Sequence, residues 1–95
     1  MVFIPRQLEF DPDFLDWLKA VKSANPATHH LIKIIFKNLK NTVIDQLDNF
    51  IPDPIDEGYG ILTFDGLELD WDCSFIEFYL FYDAHQIMIL DVEII

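Results

Sequence analysis

Two hydrophobic periodicities divide this chain of 95 residues, and their order constrains the fold more than any other feature. From residue 11 to about residue 50, apolar side chains recur at the three- and four-residue spacing typical of helices. From residue 61 to residue 94, apolar and polar side chains alternate as they do in half-buried strands. Helices that precede a run of strands predict an α+β fold, with two helices packed on an antiparallel β-meander. A chain of this length is expected to form a single domain over residues 1–95.

The first part of the chain is predicted to form a strand and then a helix. Residues 2–10 are rich in bulky apolar side chains, and Pro5 favours an edge position or a bulge in that strand. Asp11 and Pro12 are typical of a helix start, as the capping residue and the first helical residue. The Asn25–Pro26 pair is expected to interrupt the helical pattern, because the residue before a proline is biased away from helical geometry.

A second, longer helix is predicted from Thr28, as its cap, to about Phe50. Its apolar residues fall on one stripe: Ile32, Ile35, Phe36, Leu39, Val43, Leu47 and Phe50. Three lysines fall on another face at i, i+4 and i+7, namely Lys33, Lys37 and Lys40. They form either a solvated cationic face or a contact for phosphate or for an acidic partner.

The second part of the chain is predicted to be the meander. Pro52–Pro54 is expected to end the long helix, and Ile61–Phe64 and Leu67–Trp71 are expected to pair as a hairpin across Asp65–Gly66. Two further strands, Phe75–Tyr82 and Gln86–Ile94, are expected to be joined by a tight turn at residues 83–85.

The charges are distributed as unevenly as the periodicities. All six basic residues lie in the first 40 positions: Arg6, Lys19, Lys22, Lys33, Lys37 and Lys40. With four acidic residues, that segment carries about +2, whereas the last 55 residues carry 13 acidic residues and no Lys or Arg. Such an imbalance concerns partners and solubility rather than topology. Nucleic acid and anionic membranes are poor partners for a net charge of −11. A basic protein, a cation and simple solubility remain as explanations.

Strict alternation in the predicted strand Leu67–Trp71 concentrates carboxylates on one side. Glu68, Asp70 and Asp72 would stand about 7 Å apart on one face, which resembles the phosphate spacing of one nucleic-acid strand. An ordinary solvated strand face is the alternative reading. If the other acids of the second half share this surface, it would steer a basic partner, with aromatic anchors. The predicted partner-binding set is Glu68, Asp70, Asp72, Trp71, Glu77, Asp91, Glu93, Asp53, Asp56 and Glu57.

No catalytic motif accompanies these acids, and no cofactor or metal is predicted. The chain has no phosphate-binding glycine loop and no legible Ser-His-Asp or Cys-His arrangement. The adjacent His29 and His30 point apart on a helix, so they do not form a zinc-binding pair. A surface calcium site near Asp53, Asp56 and Glu57 is left open as an alternative.

The predicted compartment is cytoplasmic. A single cysteine, Cys73, excludes an internal disulfide, and residues 1–10 do not resemble a signal peptide.

In its order of elements the chain resembles the RelE/ParE family of small toxins. The segments that carry the resemblance are Leu8–Leu18, similar to that family's opening strand and helix, and Phe75–Ile94, similar to its last hairpin. The resemblance implies a ribonuclease toxin or another toxin–antitoxin component. Messenger-cleaving members of the family place Arg and Lys on the sheet, and this chain has neither after Lys40. No catalytic residue can therefore be carried over.

These observations predict a non-enzymatic acidic binding protein that covers a basic surface of a nuclease or nucleic-acid-binding protein. Immunity proteins, nucleic-acid mimics and anti-defence inhibitors act in this way. The alternatives are a RelE/ParE-like toxin and a small oligomeric subunit, such as a homodimer, that associates through the sheet edge or the apolar Ile94–Ile95 end.

Overall fold

Two helices lie on one face of a five-stranded sheet in residues 6–95, the part of the chain that this computed structural model describes. The α+β prediction is therefore confirmed. The helices are α1 (Pro12–Ala24) and α2 (Pro26–Leu39). The strands are β1 (Gln7–Phe10), β2 (Phe50–Pro52), β3 (Tyr59–Asp65), β4 (Phe75–Tyr82) and β5 (Gln86–Ile94). Neither helix is long and apolar enough to cross a bilayer.

The strands follow the order β1-β5-β4-β3-β2. Strands β2 to β5 form an antiparallel meander, in which β2 replaces the predicted strand Leu67–Trp71. Strand β1 adds to it in parallel beside β5, so the sheet is mixed. The parallel pairing requires a crossover, which α1 and α2 supply. Of the strand predicted over residues 2–10, positions 7–10 are confirmed and residues 2–5 lie outside the described part.

The start of α1 agrees with the sequence, but the start of α2 does not. Asp11 caps α1 and accepts a hydrogen bond from the Asp13 amide at 3.0 Å. Asn25 ends α1 and also caps α2, because its side chain accepts from the Thr28 amide at 3.2 Å. The prediction of Thr28 as the cap is wrong, since Pro26 is already suited to the first helical position.

Helix α2 ends at Leu39, so the prediction that it continues to Phe50 is wrong. A short 3-10 helix, Ile44–Gln46, follows, and Phe50 begins β2 opposite Leu62. The predicted apolar stripe of the helix does not continue past Leu39: Val43, which belonged to it, is 40% exposed, whereas Ile44, which did not, is fully buried. Pro52 consequently lies at the end of an edge strand, where the missing amide is tolerated.

The prediction of a hairpin across Asp65–Gly66 is also wrong, because β3 pairs with β4 and not with residues 67–71. Residues Gly66–Leu69 form a 3-10 helix within the connection of residues 66–74. A Cβ at Gly66 would overlap the carbonyl oxygen of Cys73, so close backbone approach requires glycine there. Asp70 adopts the left-handed conformation with φ of 54°, which no β-strand residue has.

The core is centred on Phe78 of β4, which is fully buried between the sheet and both helices. Its ring lies 6.0 Å from that of Phe14 in α1 and 5.2 Å from that of Phe36 in α2, measured between centroids. Both ring pairs are edge-to-face, a favourable geometry for aromatic side chains. The helices therefore cover one face of the sheet.

Candidate functional site

The face of β2–β5 opposite the helices, here called the outer face, carries the largest grouping of acidic and aromatic side chains on the sheet. Along β4 the buried residues alternate with outward-facing ones, so that Glu77, Tyr79 and Phe81 share the outer face. Their partners on β5 are Glu93, Asp91 and Met88, respectively. None of these six side chains belongs to the core cluster.

A β-bulge at Leu90 is what turns the acids of β5 outward. Tyr79 pairs with Asp91, whereas the next residue, Leu80, pairs with Ile89, so Leu90 is an extra residue in β5. If the same sequence continued as a regular strand with Leu90 retained, the two-residue period that buries Ile89 would point Asp91 towards the core. The bulge therefore lets one strand direct apolar side chains towards the helices on both sides of Leu90 and still present its carboxylates on the outer face.

Two carboxylates lie directly opposite each other on this face. Glu77 and Glu93 are cross-strand partners, an arrangement of like charges that destabilises a sheet. The Tyr79 hydroxyl donates a hydrogen bond to Oε2 of Glu93 at 2.7 Å. This hydrogen bond, followed by partial burial and the nearby carboxylates, raises the pKa of Tyr79 to about 12. Tyr79 therefore remains a neutral donor that positions Glu93.

Next to the carboxylates, the outer face contains a mostly apolar cleft of about 260 Å³. It lies between β2, β3 and the bulge, and its wall includes Ile51, Ile61, Tyr79 and Leu90. Ile51 is 56% exposed and Tyr59, at the same end, is 44% exposed. Apolar and aromatic side chains bordered by charge are typical of protein interfaces.

No basic residue occurs on any of the five strands described here. The outer face thus combines at least three carboxylates with no local cation from the sheet itself. We therefore expect a negative potential there, because four of the six basic residues lie on the helices and the Arg6 guanidinium donates to the carbonyl oxygens of Asp83 and Thr42.

One acidic residue of the β2–β3 loop borders the same cleft. Asp53 lines it, and its Oδ1 accepts hydrogen bonds from the amides of Ile55 and Asp56 at 2.8 and 2.9 Å. These two bonds lower the pKa of the Asp53 carboxyl. Asp56 and Glu57 are exposed in this loop. Part of the predicted partner-binding set is thereby brought together: Asp53, Glu77, Asp91 and Glu93.

The remaining predicted residues lie elsewhere. Glu68, Asp70 and Asp72 belong to the connection of residues 66–74, and the regular strand row expected for them does not exist. Long-range contacts prevent a strand here, because Thr28 and Asn25, at the junction of α1 and α2, both donate hydrogen bonds to the Asp70 carbonyl. The connection is thus held against the helices, away from the outer face.

Trp71 is part of this anchoring. Its ring stacks on that of Trp17 in α1 with 6.1 Å between centroids, and the side chain packs partly buried against the core. It therefore joins the connection to the helices instead of extending from the sheet.

The groups capable of covalent or metal chemistry are dispersed. Burial, and then Asp72 and Asp65, raise the pKa of the Cys73 thiol, which lowers its thiolate fraction. In residues 6–95, no three His, Cys, Asp or Glu side chains are arranged to hold a metal ion.

Several residues of the outer face were missed in the sequence: Ile61, Phe81, Met88 and Leu90. The available signal was a change of phase in β5, where buried residues fall at 87 and 89 and inward-facing ones at 92 and 94. Two consecutive outward positions, Leu90 and Asp91, are the mark of a bulge.

Comparison of the chain with protein-family models, with curated proteins and with solved structures gives no match.

Proposed function

We propose that this protein is a non-enzymatic binding protein that covers a basic surface of a partner protein with its outer face. The observation that carries the proposal is the grouping of Glu77, Asp91 and Glu93 beside an apolar cleft, on a sheet without basic residues. Glu77 and Glu93 destabilise the sheet as a like-charge pair, and a cationic partner side chain between them would remove that cost.

The finer proposal is that the partner is a nuclease or another nucleic-acid-binding protein, which the protein inhibits. Surfaces that hold nucleic acid are rich in Lys and Arg, and they complement a molecule of net charge −11. The exposed aromatic and aliphatic side chains of the cleft supply apolar contact, and the carboxylates supply steering and specificity.

The test starts with the immobilised protein in native extract, followed by elution in a salt gradient and identification of what is retained. The purified partner is then titrated by calorimetry against the wild type and against the triple variant E77Q/D91N/E93Q. We expect salt-sensitive binding that blocks the partner's nucleic-acid binding, and a loss of at least about tenfold in affinity for the variant.

The matched control is E68Q/D70N/D72N, which removes three charges from the connection of residues 66–74 and leaves the outer face intact. We expect this control to bind within about threefold of the wild type, because removing distant charges mainly weakens long-range steering. Equal affinities for the two triple variants, or a larger loss for the control, would refute the assignment to the outer face. Circular dichroism of each variant verifies that it is folded.

The RelE/ParE resemblance and the oligomeric subunit remain the alternative proposals. A ribonuclease toxin would cleave RNA or arrest growth on expression. In that case E77Q/D91N/E93Q would reduce this activity no more than the control E68Q/D70N/D72N does. A homodimer built through the exposed Ile94–Ile95 end would appear in light scattering at micromolar concentration, where the inhibitor proposal requires no self-association.

A further inference from the structure

A second groove lies on the helix side of the molecule, between α2 and the edge strand β1. Its volume is about 490 Å³, within the range of small-molecule sites. Among the described residues, its apolar lining includes Leu8 and Phe10 of β1, Leu18 of α1 and Phe36 of α2. The groove therefore presents an apolar floor contributed by three elements.

The opening of this groove is cationic. Lys33, Lys37 and Lys40 all line it, and they recur at the spacing that places side chains along one side of a helix. Lys33 and Lys37 are exposed, and His30 lines the same groove one turn before Lys33. Half of the chain's basic residues are thus concentrated on a single apolar groove.

We propose that this groove binds a small anionic amphiphile, a molecule with one alkyl chain and one carboxylate head. The alkyl chain would lie on the apolar floor, and the head would be held by the ammonium groups of Lys33, Lys37 and Lys40. The site lies on the opposite side of the sheet from the outer face, so it is independent of the proposed binding function.

The charge distribution favours a small ligand over an acidic protein in this groove. An acidic protein would bring many negative charges close to a molecule whose last 55 residues contain 13 acids. A single carboxylate within about 8 Å of the lysines interacts mainly with them, because salt screens charges that are farther away than this distance. The apolar floor likewise favours an alkyl chain over a free phosphate, which has nothing to bury there.

The test is calorimetric titration with octanoate, decanoate and dodecanoate, each below its micelle concentration. We expect saturable binding at one site, with affinity rising about 15-fold for each added pair of methylenes that the groove buries. The neutral analogue 1-decanol is expected to bind much more weakly than decanoate. The outer-face variant E77Q/D91N/E93Q is expected to bind decanoate as the wild type does, which separates this site from the proposed function.

The decisive variants differ only in the helix from which charge is removed. K33Q/K37Q removes two charges from the groove, and K19Q/K22Q removes two exposed charges from α1. We expect the first to lower decanoate affinity about 3- to 30-fold and the second to change it less than twofold.

The proposal is overturned by absent or non-saturable binding, by equal affinity of decanol and decanoate, or by equal losses in the two double variants. A concentration-dependent dimer that K33Q/K37Q dissociates would also overturn it, because a second copy of the chain would then occupy the groove.

Discussion

Replacing Thr28 by valine tests how the connection of residues 66–74 is held in place. Thr28 is fully buried, and its hydroxyl donates to the carbonyl oxygens of Leu69 at 2.5 Å and of Asp70 at 3.0 Å. Valine keeps the branched shape of the side chain and removes only the donor. The Asp70 carbonyl retains the Asn25 amide at 2.9 Å, so the main loss falls on the hydrogen bond to Leu69.

We expect Thr28→Val to lower the free energy of unfolding by about 1–3 kcal/mol, the cost of removing one partner of a buried hydrogen bond. Urea denaturation followed by circular dichroism measures this loss. With a slope of about 1–3 kcal/mol/M, the urea midpoint falls by roughly 1 M. The control is Thr42→Val, whose exposed hydroxyl donates locally to the Asn38 carbonyl, and it is expected to cost less than about 1 kcal/mol. Equal midpoints for Thr28→Val and the wild type would refute the anchoring role.

Three further predictions concern single residues. Glu77→Gln is expected to stabilise the protein by about 0.2–1 kcal/mol at low salt, by relieving repulsion from Glu93, and the gain should vanish in high salt in urea melts. Glu93→Ala should return the pKa of Tyr79 from about 12 towards 10, as followed by NMR of the ring carbon; an unchanged pKa would contradict the hydrogen-bond explanation. Because the pKa of Tyr79 is raised on folding, its contribution to stability is complete below pH 10 and is lost as pH rises to about 12. Gly66→Ala should destabilise by about 1–3 kcal/mol or more through overlap with the Cys73 backbone, and an unchanged thermal midpoint would show that the backbone yields there.

Local signals predicted the elements whose causes are local. The cap at Asp11, the break at Asn25–Pro26 and the turn before Gln86 depend on residues adjacent in sequence, and all three are confirmed. The alternation in β4 likewise agrees with the burial that the structure shows.

Errors arose where distant contacts override local preference. Strict alternation predicted that Leu67 and Leu69 share one face of a strand, but Leu67 is 87% exposed and Leu69 only 1%. Hydrogen bonds from the junction of α1 and α2, some 40 residues away in sequence, hold this segment as a 3-10 helix. The end of α2 was misjudged for a similar reason, since Phe50 continues the helical spacing but is buried as part of a strand.

The candidate site was predicted in part. The excess of acids in the second half was evident, and Glu77, Asp91 and Glu93 were among the selected residues. Their grouping could not be derived, because it depends on the pairing register of β4 with β5 and on the bulge between them.

The bulge at Leu90 has a consequence for how β5 tolerates changes in length. Leu90 amounts to a one-residue insertion in an otherwise regular strand, since the residues on either side already pair in antiparallel register with β4. Deleting Leu90 leaves Met88 and Asp91 outward and Ile89 and Val92 inward, because the alternation then runs without interruption. Deleting Ile89 instead would give the same uninterrupted alternation, with Leu90 in the inward position. Shortening this strand by one residue at the bulge is therefore compatible with the sidedness of the sheet.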